Sequence, residues 1–76
     1  MSTNMEKLVN STNKNCKIFG ETIDTLRYSQ GFYGRMFSHI NALSDEAFAE
    51  LYNIIEQQDF NDQVDVVLYL EDLHAC

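Results

Sequence analysis

The chain lacks the features that define several protein classes. Its 76 residues include no proline, no tryptophan, three glycines and two cysteines. Cys16 and Cys76 lie far apart and match neither a zinc-binding nor a C-x-x-C redox spacing, so we expect free thiols and neither a metal site nor a cofactor. No run approaches the ~18 apolar residues of a membrane span, and the first residues carry no secretory signal pattern. These absences predict a cytoplasmic protein with no membrane segment.

Basic side chains are missing from the second half of the chain. Residues 44–76 contain nine acids and no Lys or Arg, whereas residues 1–43 hold all five basic side chains against three acids. The formal charges of the two parts are therefore −9 and +2. Such a field disfavours direct contact with nucleic acid or an anionic membrane, and it favours a basic protein surface as the partner.

What the chain does contain predicts one small helical domain. Apolar residues make up 45% of it and nine side chains are aromatic, which suits a single core at this length. We expect an all-α fold, with a three- to four-helix bundle over residues 17–76. Residues 1–16 are rich in Ser, Thr, Asn and Lys, so we expect a flexible polar arm whose removal from Met1 to Asn13 leaves thermal stability nearly unchanged.

Apolar periodicity places the helices. A first helix is expected from about Glu21, and an apolar stripe with helical spacing follows it. The pattern leaves open whether one helix runs from Glu21 to Ala42 or whether the helix is interrupted near Ser29, which could act as an N-cap. Ser44 followed by two acids predicts a helix over residues 45–58. Residues 63–73 fit either a helix or a strand. We favour the helix, because acids suit a first turn and no second strand exists for pairing.

No group of residues suggests catalysis. The chain shows no nucleophile beside a base, no contrasting carboxylate pair and no metal-ligand spacing, since His39 and His74 have no second ligand at i+3 or i+4. The acids after Asp59 lack the glycine and glutamate that an EF-hand requires. Small-molecule binding is also disfavoured, because so small a core rarely leaves a pocket of ~300 Å³. We therefore expect a binding protein and not an enzyme.

Two glycines three residues apart form the most distinctive local pattern. Gly31 and Gly34 leave one side of a helix turn without side chains, so that another backbone can approach there. The adjacent arginine could make bidentate contacts with a carboxylate. This segment is predicted to serve in close helix packing or in a homodimer through Gly31, Phe32, Gly34 and Arg35.

Two segments carry a resemblance to known sequences. Tyr28-Ser29-Gln30-Gly31-Phe32-Tyr33-Gly34-Arg35-Met36 and the later stretch from Phe60 to Glu71 resemble a group of short, functionally uncharacterised proteins. That group is encoded by phages, plasmids and host genomes of Firmicutes-like bacteria. The resemblance covers about residues 26–72 and implies an accessory role such as countering host defence, with small acidic anti-CRISPR proteins as the nearest functional analogy.

These observations lead to two functional hypotheses. The first is a small acidic module that inhibits a host nucleic-acid enzyme or defence complex by presenting carboxylates where phosphates would sit, with Tyr52, Phe60 and Tyr69 as aromatic anchors. The second is a homodimeric structural or regulatory adaptor whose acidity only keeps it in solution. The residues predicted to bind the partner in the first hypothesis are Glu50, Glu56, Asp59, Asp62, Asp65 and Asp72.

Overall fold

Five helices account for most of the chain in the computed structural model, which describes residues 2–75. They are α1 (Asn4–Val9), α2 (Lys14–Leu26), α3 (Gly31–Ala42), α4 (Asp45–Glu56) and α5 (Gln63–Ala75). No strand occurs within residues 2–75, so the expected all-α class is confirmed and the last element is a helix. The Cα radius of gyration is 11.4 Å, close to the value of about 11 Å expected for a compact domain of this length.

Local capping explains where the helices begin. The α1 start is a capping box, in which Thr3 accepts from the Glu6 amide and the Glu6 side chain accepts from the Thr3 amide. Asn13 caps α2 by accepting from the Cys16 amide at 3.0 Å. Ser44 caps α4 as expected, with the Ala47 amide 3.2 Å from its Oγ. Each cap satisfies an amide that the helix itself leaves without an acceptor.

The helices pack around α2, which contacts each of the other four, while α1 also contacts α3. α2 can do this because its buried residues recur at steps of three and four, at Cys16, Phe19, Gly20 and Ile23. The other helices each contribute at least two buried residues to the same core. Met5, Leu8, Tyr33, Ile40, Phe48, Ile55, Phe60, Val66 and Leu70 complete this core.

The flexible arm expected over residues 1–16 is not confirmed. Residues 4–9 form α1 instead, with Met5 and Leu8 almost fully buried. The Asn4 side chain donates to the Ile40 and Leu43 carbonyls at 2.8 and 3.0 Å, which fixes α1 against the end of α3. Although its composition is polar, this segment packs against the core as a helix. α1 therefore adds a helix to the expected three or four.

Two expected boundaries also differ. The first long helix begins at Lys14 and not near Glu21, so the proposed division between residues 16 and 17 falls inside α2. The chain does break between α2 and α3, but the α3 N-cap is Gln30, which makes no side-chain capping bond. Ser29 instead donates back to the Leu26 carbonyl at 3.3 Å. Its hydroxyl is thus used by the turn that ends α2.

Candidate functional site

The predicted acidic residues lie on α4, on α5 and in the connection between them. Glu50, Glu56, Asp59 and Asp62 are exposed. α4 and α5 both pack against α2, and the 57–62 connection joins them directly, so these exposed carboxylates belong to one continuous segment that contains no Lys or Arg. We call α4, this connection and α5 the acidic region. Its field attracts a basic surface over distances of about one Debye length, roughly 8–10 Å.

Two of the predicted acids have a structural role. Asp62 accepts from the Asp65 amide at 3.2 Å, and Asp65 accepts from the Asn61 amide at 2.8 Å. These bonds fasten the first turn of α5, where negative charge also favours the helix dipole. Asp65 is half-buried, whereas Asp72 is exposed on the later part of α5. Of the six predicted residues, Glu50, Glu56 and Asp59 are exposed and precede α5, so a partner can contact them without disturbing its first turn.

Apolar side chains are exposed on the same two helices. Five large hydrophobic residues of residues 2–75 are exposed, and four of them belong to α4 or α5: Ile54 51%, Val64 61%, Leu68 58% and Leu73 55%. Val64 and Leu68 are one helical turn apart and so share one side of α5. A helix with apolar residues on more than its buried side usually contacts something further. Negative charge and exposed apolar surface thus coincide in the acidic region.

The aromatic residues expected as interface anchors belong to the core. Phe60 is buried between Phe19, whose ring centroid is 6.4 Å away, and Tyr69 at 5.4 Å. Tyr52 is half-buried, and its hydroxyl is hydrogen-bonded to Ser11. Burial of these large rings stabilises so small a core, which is why they turn inward. The large apolar side chains exposed on α4 and α5 are aliphatic.

A residue that sequence reasoning missed holds the acidic connection in place. Asn15, in the first turn of α2, donates from Nδ2 to the Glu56 carbonyl at 3.0 Å and to the Gln58 carbonyl. Its Oδ1 accepts from the Phe60 amide at 3.0 Å. One amide side chain thereby satisfies three backbone groups of a connection that has no regular structure. No pattern in the sequence reveals a partner more than forty positions away.

The glycine and arginine segment lies at the start of α3. Gly31 and Arg35 are exposed, and Phe32 is half-buried with its ring 4.8 Å from the His74 ring. A Cβ on Gly34 would be 3.3 Å from the Arg27 carbonyl oxygen, so the open side of this glycine faces the α2–α3 turn of the same chain. Its predicted part in a homodimer stays a prediction. Among the three glycines the tightest contact is at Gly20, where a Cβ would be 2.8 Å from the Cβ of Leu8.

Cys16 is a buried thiol with no exposed surface. Burial raises its pKa to about 11, a hydrogen bond with the Tyr52 side chain acts against this rise, and the negative charge of Glu56 adds to it. At neutral pH the group is therefore protonated and a poor nucleophile. Burial also raises the pKa of Tyr33, with a smaller contribution from Glu71.

The raised pKa of Cys16 predicts an alkaline loss of stability. The unfolded chain loses this proton near pH 9 and the folded chain near pH 11, so the contribution is complete below pH 9 and is lost as pH rises to 11. The expected loss is on the order of 2 kcal/mol. Urea unfolding of the wild type and of Cys16→Ala across pH 8–11 measures it. Equal slopes of the unfolding free energy against pH would contradict the assignment.

Three further findings on this chain are negative. Within residues 2–75 no group of three or more His, Cys, Asp or Glu side chains is placed to hold a metal ion. No helix in the described range is long and apolar enough to cross a membrane. Comparisons with protein-family models, curated proteins and solved structures found no match. Any functional inference must therefore rest on the geometry of this chain.

Proposed function

We propose that the protein is a small acidic binding module whose acidic region docks onto a basic protein surface. The observation that carries the proposal is the coincidence on α4 and α5 of exposed carboxylates with four of the five exposed large apolar side chains. Apolar contact supplies most of the binding energy of a protein interface, while complementary charge selects the partner and speeds encounter. A surface that combines the two suits a partner with basic and apolar side chains close together.

Nucleic-acid-binding proteins carry such basic surfaces, because they neutralise phosphates with Lys and Arg. Carboxylates at Glu50, Glu56 and Asp59 would occupy positions that phosphates otherwise take, and so compete with the nucleic acid. The protein would then inhibit a host nucleic-acid enzyme or a defence complex, in the manner of an anti-CRISPR protein. Exposed Ile54, Val64 and Leu68 would add contacts that a nucleic acid does not make.

Competition with DNA tests this proposal directly. The immobilised wild-type protein is incubated with a bacterial lysate, and bound proteins are eluted with duplex DNA or with 1 M salt. We expect both to release the captured proteins, because counterions and phosphates compete for the same basic groups. The triple variant Glu50→Gln, Glu56→Gln, Asp59→Asn should capture several-fold less, whereas Glu21→Gln, an exposed acid on α2, should capture as much as the wild type.

Other outcomes would favour a different function. Partners that stay bound equally well at 1 M salt and in the presence of DNA would remove the electrostatic basis of the proposal. The alternative is a homodimeric adaptor that uses Gly31, Phe32, Gly34 and Arg35. Light scattering over a wide concentration range distinguishes it, since a strictly monomeric mass excludes that alternative.

A further inference from the structure

A narrow apolar slot lies between α3, α4 and α5, with α2 at its base. Its volume is about 180 Å³. Phe19 lies on the α2 side, Leu51 comes from α4, and Leu73 comes from α5. The slot runs beside α3 from Met36 to Leu43, the residue that follows the helix, over a length of about 10 Å. A cavity of this volume and length is too narrow for an α-helix, whose diameter with side chains is about 10–12 Å.

A second hollow of about 490 Å³ adjoins the slot and has a different character. Met36 and His39 line both spaces, which therefore lie side by side. The hollow also contains Arg35 and His74, and therefore brings together both histidines of the chain and one of its two arginines. In a protein of net charge −7 this is a local concentration of groups that can carry positive charge.

The arrangement of these cationic groups follows from the two helices. Arg35 and His39 are one turn apart on α3, so they share one side of that helix. His74 reaches the hollow from the last turn of α5, where its ring packs 4.8 Å from that of Phe32. A guanidinium nitrogen of Arg35 lies beside Gly31, where a Cβ would approach it to 3.4 Å. The missing side chain at Gly31 thus leaves room for the guanidinium next to the hollow.

We propose that the slot and the hollow together bind an aliphatic carboxylate. The hydrocarbon chain lies along the apolar slot, and the carboxylate is held by Arg35 with His39 and His74. A guanidinium pairs with a carboxylate through two parallel hydrogen bonds, and the apolar slot offers no equivalent partner to a polar head group. The hydrocarbon chain would also cover Leu73, whose side chain is otherwise 55% exposed. This site lies on the α3 side of α5 and needs no protein partner.

Titration of the ¹⁵N-labelled full-length protein with decanoate below its micelle concentration tests the proposal. We expect saturable NMR shifts confined to the residues around the two spaces, namely residues 32–43, residues 69–74, Phe19, Leu51 and Ile55. Decanol, which has the same chain length without the charge, should bind at least about tenfold more weakly, as should Arg35→Gln with decanoate. Lys17→Gln is the matched control, because Lys17 is an exposed cation on α2 and lines neither cavity.

Three results would overturn the assignment. Shifts that spread over the whole surface or fail to saturate would show that decanoate has no site. Equal binding of decanol and decanoate would remove the carboxylate from the recognition. Equal effects of Arg35→Gln and Lys17→Gln would remove Arg35 from it. If Arg35→Gln gives an unfolded amide spectrum, His39→Gln replaces it in the same comparison, and unchanged affinity there counts against the proposal.

Discussion

Deletion of residues 1–10 is expected to leave the chain largely unfolded at 25 °C. The deletion removes Met5 and Leu8, which are at most 2% exposed. Burial of each such side chain stabilises the folded state by about 1.5–3 kcal/mol. The deletion also removes Asn4, whose side chain donates to the Ile40 and Leu43 carbonyls. A core of this size provides only roughly 3–5 kcal/mol in total, so the loss is comparable with the whole stability. Circular dichroism and a thermal melt measure the result.

A point variant separates core packing from the effect of shortening the chain. Leu8→Ala should lower the unfolding free energy by about 2–5 kcal/mol, because it leaves a cavity between α1 and α2. That corresponds to a fall in melting temperature of roughly 10 °C or more for a domain of this size. Lys7→Ala is the control, since Lys7 is exposed and its cation–π contact with the Phe48 ring, at 5.7 Å from the ring centroid, contributes only about 0.5–1 kcal/mol. A deletion that melts within a few degrees of the wild type would restore the flexible-arm interpretation.

The α1 helix shows why composition misled at the N-terminus. A segment of six helical residues buries three of them, and one of those three is Asn4. Its burial is stabilised by two carbonyls at the end of α3, thirty-six and more positions away, which no local pattern indicates. The capping box of Thr3 and Glu6 was a local signal that could have been read. It predicts a helix start but says nothing about docking.

Elsewhere local patterns were sufficient. Ser44 with two following acids predicted the start of α4, because that signal lies wholly within one turn. The helical assignment of α5 was also correct, and Val66 and Leu70 face the core at a spacing of four. Alternating valines had suggested a strand, but a strand requires a partner that the chain does not supply.

The surface was less predictable than the fold. Positions of the acids follow from the sequence, but the exposure of Val64 and Leu68 depends on which side of α5 contacts α2. Apolar residues surround this helix on several sides, so periodicity alone could not choose among them. The meeting of Arg35, His39 and His74 likewise depends on how α3 and α5 cross. Such convergence is a property of the tertiary structure and has no signature in spacing.

Gly20 is the position at which helix packing requires a glycine. A Cβ added there would be 2.8 Å from the Leu8 Cβ, 2.9 Å from the Val9 amide nitrogen and 3.1 Å from the Leu8 carbonyl carbon. Two of these atoms are backbone, so they cannot rotate away and α1 as a whole would have to move. The sequence had pointed to Gly31 and Gly34 for this role, because they stand three residues apart, whereas Gly20 stands alone.

Gly20→Ala is therefore expected to destabilise the protein although alanine is the better helix former. The propensity gain is about 1 kcal/mol, whereas overpacking costs typically about 1–3 kcal/mol and displacement of α1 adds the partial loss of Leu8 packing. We expect a net loss of about 2 kcal/mol, or a melting temperature lower by roughly 8–16 °C.

Substitutions at the other two glycines serve as matched controls. Gly31→Ala should stay within about 0.5 kcal/mol of the wild type, because the nearest atom, 3.4 Å away, is the movable end of Arg35. The stability of Gly34→Ala should lie between those of Gly20→Ala and Gly31→Ala, since the nearest atom, at 3.3 Å, is the Arg27 carbonyl oxygen in a turn. Thermal melts of the three variants, with sedimentation to confirm an unchanged mass, establish the order. A Gly20→Ala protein that melts at or above the wild-type temperature would show that α1 does not pack closely against α2.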